Sequence, residues 1–205
     1  AETSLSIEVK ENIVYSGNAL VCKKTGDDDF ADADVKINYA GDVTVTTTWH
    51  NNQEGQDGDE PAEAELESAP TNAGVYWIKA VAVSKADGTT EVSNQSKRVE
   101  IKKATPKLTL TVKDAIAYDE DPVTCTTDEG ADIKYAYTGD SSVEPNVSFT
   151  WGDENNEPLD DTPINAGSYF VTVSVEGTAN YSAVTETKEF TIAKAEANVT
   201  EAPKA

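Results

Sequence analysis

In residues 168 to 175, SYFVTVSV, apolar and polar side chains alternate: Tyr169, Val171, Val173 and Val175 share one side, Ser168, Phe170, Thr172 and Ser174 the other. A period of two marks a strand with one buried face. Val35, Ile37 and Tyr39 alternate in the same way with Lys36 and Asn38, and Ile133, Tyr135 and Tyr137 with Lys134 and Ala136. Short threonine-rich runs of this kind, separated by Gly, Asp, Asn and Pro, recur along the chain without a sustained helical period. The pattern predicts an all-β protein made of antiparallel sheets packed face to face.

The pattern also repeats. Leu5, Tyr15 and Cys22 return at one constant offset as Leu108, Tyr118 and Cys125. VKINYAGD (35–42) returns as IKYAYTGD (133–140), Trp49 as Trp151, PTNAGVYWIKAVAV (70–83) as PINAGSYFVTVSV (163–175), and VEIKKA (99–104) as FTIAKA (190–195). The offset changes only between these blocks, where surface loops tolerate insertion. Two domains are expected, 1–103 and 104–195, with 196–205 the start of a third repeat or a disordered tail. The segment between them, KKATPK, is short, and Pro106 holds Thr105 extended, so the expected arrangement is a semi-rigid rod.

The Asn-Ala-Gly phrase ahead of each long strand carries a structural reading. It supplies a tight turn in which Gly74 or Gly167 takes a positive φ, and the following tyrosine, Tyr76 or Tyr169, enters the core while its hydroxyl bonds the turn backbone. This is the logic of the tyrosine corner in immunoglobulin-like sandwiches. The fold expected is two tandem immunoglobulin-like antiparallel β-sandwiches.

With AYDEDP (117–122), PINAGSYFVTVSVEGTANYS (163–182) and FTIAKA in one half, and VYSGN (14–18), PTNAGVYWIKAVAV and VEIKKA in the other, the chain resembles the bacterial immunoglobulin-like repeats of the MBG or YDG type. Those repeats stand in tandem in large surface and secreted proteins, adhesins among them. The name-giving Tyr-Asp-Gly is Tyr15-Ser16-Gly17 in one copy and Tyr118-Asp119-Glu120 in the other, a departure that touches the loop. The resemblance implies an extracellular place on the bacterial surface or in secretion, and no catalytic site.

Composition narrows the partners. The chain has 205 residues and a formal net charge of -22, an unfavourable field for nucleic acid or anionic lipid. No apolar run reaches the ~20 residues that span a bilayer, so direct membrane insertion is not expected. The chain contains no methionine, and it is expected to be a piece of a longer protein.

The candidate sites are few. Alternation turns Trp77 outward, with Phe170 at the matching place, and these two are the expected ligand contacts; an insertion at 51–69 is expected to lie over Trp77 as a loop. Trp49 and Trp151 fall on the inward side, the latter together with Val147 and Phe149. Asp27, Asp28, Asp29, Asp57 and Asp59 crowd two acidic loops whose oxygens suit Ca²⁺, though without EF-hand spacing. No other cofactor is expected. Cys22 and Cys125, one per half, read as buried thiols packed as small apolar residues. Enzymatic readings are weak: His50 is the single histidine and has no counterpart in the second half, and no phosphate-binding glycine loop is present. A lysine-asparagine crosslink would need an inward lysine, and Lys36, Lys79 and Lys134 fall outward.

The expected function is a non-catalytic tandem segment of a bacterial cell-surface or secreted protein, a monomer acting as stalk or spacer and as an adhesion surface. Its expected partners are a host or cell-surface protein or glycan and adjacent repeats of the same chain. The alternative is a carbohydrate- or protein-binding accessory module of a secreted polysaccharide-degrading enzyme.

Overall fold

The computed structural model describes residues 2–55 and 58–196. Position 57 and the segment 197–205, where a metal ligand and most of a third repeat were expected, lie outside the described residues. The chain divides into two compact units, Ala1–Ala104 and Thr105–Ala205. Among the described residues the elements are strands and one 3-10 turn, Phe30–Asp32. Both units are antiparallel β-sandwiches.

In unit 1 the strands are β1 (Ser4–Val9), β2 (Cys22–Lys24), β3 (Val35–Ala40), β4 (Val43–Gly55), β5 (Gly58–Leu66), β6 (Gly74–Ser84) and β7 (Glu91–Ile101). They form one sheet in the order β1-β3-β2 and a second in the order β5-β4-β6-β7. Alternation sets which side closes: Ile78, Ala80 and Ala82 of β6 and Val99 of β7 are sealed from solvent, as are Val35 and Ile37 of β3 in the facing sheet. Burying such a set supplies most of what offsets the entropy of ordering a domain.

Unit 2 repeats the plan with β8 (Lys107–Val112), β9 (Ile116–Ala117), β10 (Cys125–Thr126), β11 (Ile133–Thr138), β12 (Val147–Gly152), β13 (Pro158–Leu159), β14 (Gly167–Val175) and β15 (Val184–Ala193). Its sheets run β10-β11-β8 and β13-β12-β14-β15-β9. The registers of the two units match residue for residue: Ile7 pairs with Ile37 as Leu110 does with Tyr135, and Trp49 with Ile78 as Trp151 does with Val171. Val171, Val173 and Val175 occupy the sealed positions, capped by Trp151 lying edge-on to Phe190 at 5.8 Å.

Two features depart from the sequence expectations. Short parallel pairings join the antiparallel ladders, β2 with β3, β10 with β11 and β9 with the end of β15. Segments of two or three residues carry too little alternation to reveal their direction. The insertion at 51–69 is also not a loop: β4 runs on to Gly55 and returns as β5, extending the hairpin past the end of the core. Its polar composition hid this, because the described side chains at 51–54 and 60–65 are mostly exposed and impose no period of two.

Candidate functional site

The two tyrosine corners are built alike. Tyr76 Oη donates to the Asn72 carbonyl at 3.0 Å, and Tyr169 Oη to the Asn165 carbonyl at 3.0 Å. Each ring folds back over the glycine two residues before it, and a Cβ on Gly74 or Gly167 would stand 3.3 or 3.1 Å from the phenol oxygen. Gly74 takes a φ of +156°; Gly167 is not among the positive-φ residues, so close approach of the ring, common to both, accounts for glycine there. Burial pushes the Tyr76 phenol above its ordinary pKa.

Trp77 faces outward from β6, opposite His50 on β4 and Arg98 on β7. It is half-buried, and its indole N–H donates to Asn52 Oδ1 at 2.9 Å. The cover comes from the extended strand and not from a loop. His50, which the sequence left unassigned, lies on this same face and is only 7% exposed. Its Nδ1 meets the Ala62 carbonyl at 2.9 Å and its Nε2 the Thr48 hydroxyl at 3.0 Å. Both ring nitrogens are therefore engaged by polar neighbours, which makes burial of the imidazole affordable. The Ala62 carbonyl reaches it because the β4–β5 register slips between His50 and Asn52, where three residues of β5 oppose one of β4. Phe170 faces outward from β14, between Gly152 and Glu189, and is half-buried.

The acidic loop of unit 1 is held by local bonds. Asp27 accepts from the Lys24 amide at 2.7 Å through Oδ2, and Asp29 adopts a left-handed backbone with φ 57° ahead of the 3-10 turn. Among the described residues no group of three or more His, Cys, Asp or Glu side chains converges enough to hold a metal ion.

Cys22 and Cys125 are free thiols and half-buried, less enclosed than expected. They sit on β2 and β10, the outermost strands of their three-stranded sheets, where one flank is open. Burial raises both thiols, Cys125 to about 11.

A second region escaped the sequence reading. In unit 1, β3 and β4 are joined by Gly41 and Asp42 alone, whereas in unit 2 residues 139–146 separate β11 from β12. Beside that longer connection Phe149, expected inward, is 37% exposed. The signal was present as TGDSSVEPN after IKYAY, an insertion following two tyrosines, but alternation alone could not show that it leaves the sandwich edge open.

No family model matches the chain, and no curated protein matches it. Among solved structures it is similar to the fibronectin(III)-like modules of CbhA from Clostridium thermocellum, at 15% identity, over 97% of this chain and 100% of that one, with a TM-score of 0.33.

Proposed function

We propose that this chain is a non-catalytic pair of immunoglobulin-like repeats of the MBG or YDG type, placed outside the bacterial cell in a surface or secreted protein. It serves there as a stalk or spacer that also offers an adhesion surface. The observation that carries the proposal is repetition: each unit has its own apolar cluster, its own tyrosine corner and the same pairing register. Self-contained units in tandem set distance, which is what a spacer supplies. The outward Trp77 and Phe170 are the residues proposed to meet a protein or glycan.

Small-angle X-ray scattering of the whole chain tests the spacer role. One compact body of this length would have a radius of gyration of about 17 Å. A rod of two repeats gives a value well above that, with a two-body distance distribution. A single-peaked distribution near the compact value would overturn the proposal.

A further inference from the structure

We propose that unit 2 carries a binding cleft for a neutral oligosaccharide, formed where β11 runs into the connection 139–146. The inference goes beyond the spacer role and beyond the contact proposed at Trp77 and Phe170, since it places a separate ligand site in unit 2. The cleft has a volume of about 680 Å³, inside the range of small-molecule sites. Tyr135 and Tyr137 line it on one side, with Thr127, and the connection lines the other with Asp140, Ser142 and Glu144.

The aromatic side is held in place. Tyr135 and Tyr137 are half-buried and pack against the unit's core, and the Phe149 ring stands 5.6 Å from Tyr135 at 59°. Tyr137 lies so close over Gly139 that a Cβ there would overlap its phenol. Glycine at 139 is thus what allows the ring to sit against the start of the connection.

The polar side is tied at both ends. Asp140 accepts from the Ser142 amide and hydroxyl, and its other oxygen accepts from the Thr178 hydroxyl at 3.1 Å. These bonds, the Ser142 hydroxyl first, hold the Asp140 carboxyl below its usual range. At the far end Asn146 Nδ2 donates to Glu176 at 2.9 Å, and the Glu176 amide returns a bond to the Asn146 carbonyl. Ser141 to Glu144 are left exposed between two anchored points.

Ligand chemistry follows from what lines the space. No lysine, arginine or histidine does so among the described residues, and the chain's net charge of -22 repels anions, which disfavours phosphate, sulfate and uronic acids. A metal cation would need converging carboxylates, and among the described residues no group of three or more His, Cys, Asp or Glu side chains converges to hold one. What remains is two phenol rings, the apolar side chains of Val143 and Pro145, hydroxyls and the exposed carboxylate of Glu144. Apolar ring faces with a few acceptors and hydroxyls suit a neutral sugar, which presents C–H faces and O–H donors together. Unit 1 lacks the arrangement: Ile37 stands at the register of Tyr135, Thr47 at that of Phe149, and the connection is too short to wall a cleft.

The test is amide-resolved NMR titration of the whole chain with hexasaccharides of β-1,4-glucan, β-1,4-xylan, β-1,3-glucan and α-1,4-glucan, against choline and an oligogalacturonate. Binding of at least one neutral hexasaccharide is expected, with shifts confined to residues 127 and 135–145. Tyr137→Ala and Gly139→Ala should weaken it at least tenfold, and Trp77→Ala should leave it within twofold. Should Tyr137→Ala unfold unit 2, the exposed pair Ser141→Ala with Glu144→Ala gives the same reading without touching the core, at threefold or more. Shifts with choline or oligogalacturonate alone, no shift with any neutral hexasaccharide, or binding lost in Trp77→Ala but kept in Tyr137→Ala would each overturn the proposal.

Discussion

At one register of the shared plan the two units diverge. Ile37 in unit 1 is 0% exposed and closes the core; Tyr135, at the same register in unit 2, is half-buried and faces a cleft. Around both, the central framework is shared: the pairings of β3 with β1 and β11 with β8, of β4 with β6 and β12 with β14, the same corner tyrosine bonded at 3.0 Å and the same inward tryptophan. The difference lies in one larger side chain, one aromatic in place of Thr47, and a longer connection. A sandwich interior is close-packed, so a larger side chain there needs room, and the longer connection 139–146 lines open space beside Tyr135. A register sealed in one copy can thus face a cleft in the other when the adjoining connection lengthens.

The largest effect that could break this comparison comes from truncating both residues. Ile37→Ala removes a sealed side chain and should destabilise unit 1 by about 2–5 kcal/mol. Tyr135→Ala should cost unit 2 less, about 1–3 kcal/mol, because the ring packs on the core and on Phe149 yet keeps part of its surface in solvent. Hydrogen exchange of the core amides in the whole chain, followed by NMR, reads each unit separately. Equal losses would mean that the rim of unit 2 is as tightly packed as the interior of unit 1.

A smaller effect sharpens what the units share. Tyr76→Phe and Tyr169→Phe each delete one hydroxyl bond to a turn carbonyl and should lower stability by about 0.5–1.5 kcal/mol, nearly equally. The same exchange measurement checks it. If one corner cost nothing, that tyrosine would be acting as an apolar plug and the bond would be incidental.

Much of this framework is legible in the sequence because it rests on period-two burial and on a turn phrase with a steric requirement. Tyr169, Val171, Val173 and Val175 announce their face, and Asn-Ala-Gly-x-Tyr announces the corner. What stays hidden is whatever lies beyond a buried face. The described side chains at 51–54 and 60–65 are mostly exposed and impose no alternation, and the parallel β10 has only two residues. His50 reads as an isolated polar residue until the register slip brings the Ala62 carbonyl to its Nδ1. The cleft is hidden for a related reason: Tyr135 and Ile37 look alike to a hydrophobic pattern, and only the path of the 139–146 connection tells a plug from a wall. The acidic clusters illustrate the converse, since a run such as Asp27-Asp28-Asp29 is conspicuous in sequence while its oxygens are spread by the loop.

The smallest effect concerns the two thiols, which occupy equivalent places yet feel different surroundings. Burial raises both by disfavouring the thiolate, but at Cys22 the Lys24 ammonium partly counters this, with Asp27 acting in the opposite sense. At Cys125 burial acts alone and carries the pKa to about 11. A raised thiol pKa means less thiolate at a given pH, and the thiolate is the species that alkylates. At pH 8 iodoacetamide should therefore label Cys22 several-fold faster than Cys125, with both slower than an unfolded-chain cysteine of pKa ~8.5. Because each group is neutral below its unfolded pKa and charges with difficulty when folded, the stability it contributes is full at neutral pH. That contribution declines only as pH rises from ~8.5 towards the folded value, about 11 for Cys125. Mass spectrometry of the labelled peptides over pH 7 to 11 checks the order, and Lys24→Gln should narrow the gap by removing the ammonium from Cys22. Faster labelling of Cys125 would show that the open flank of β10 matters more than the loss of solvation around its sulfur.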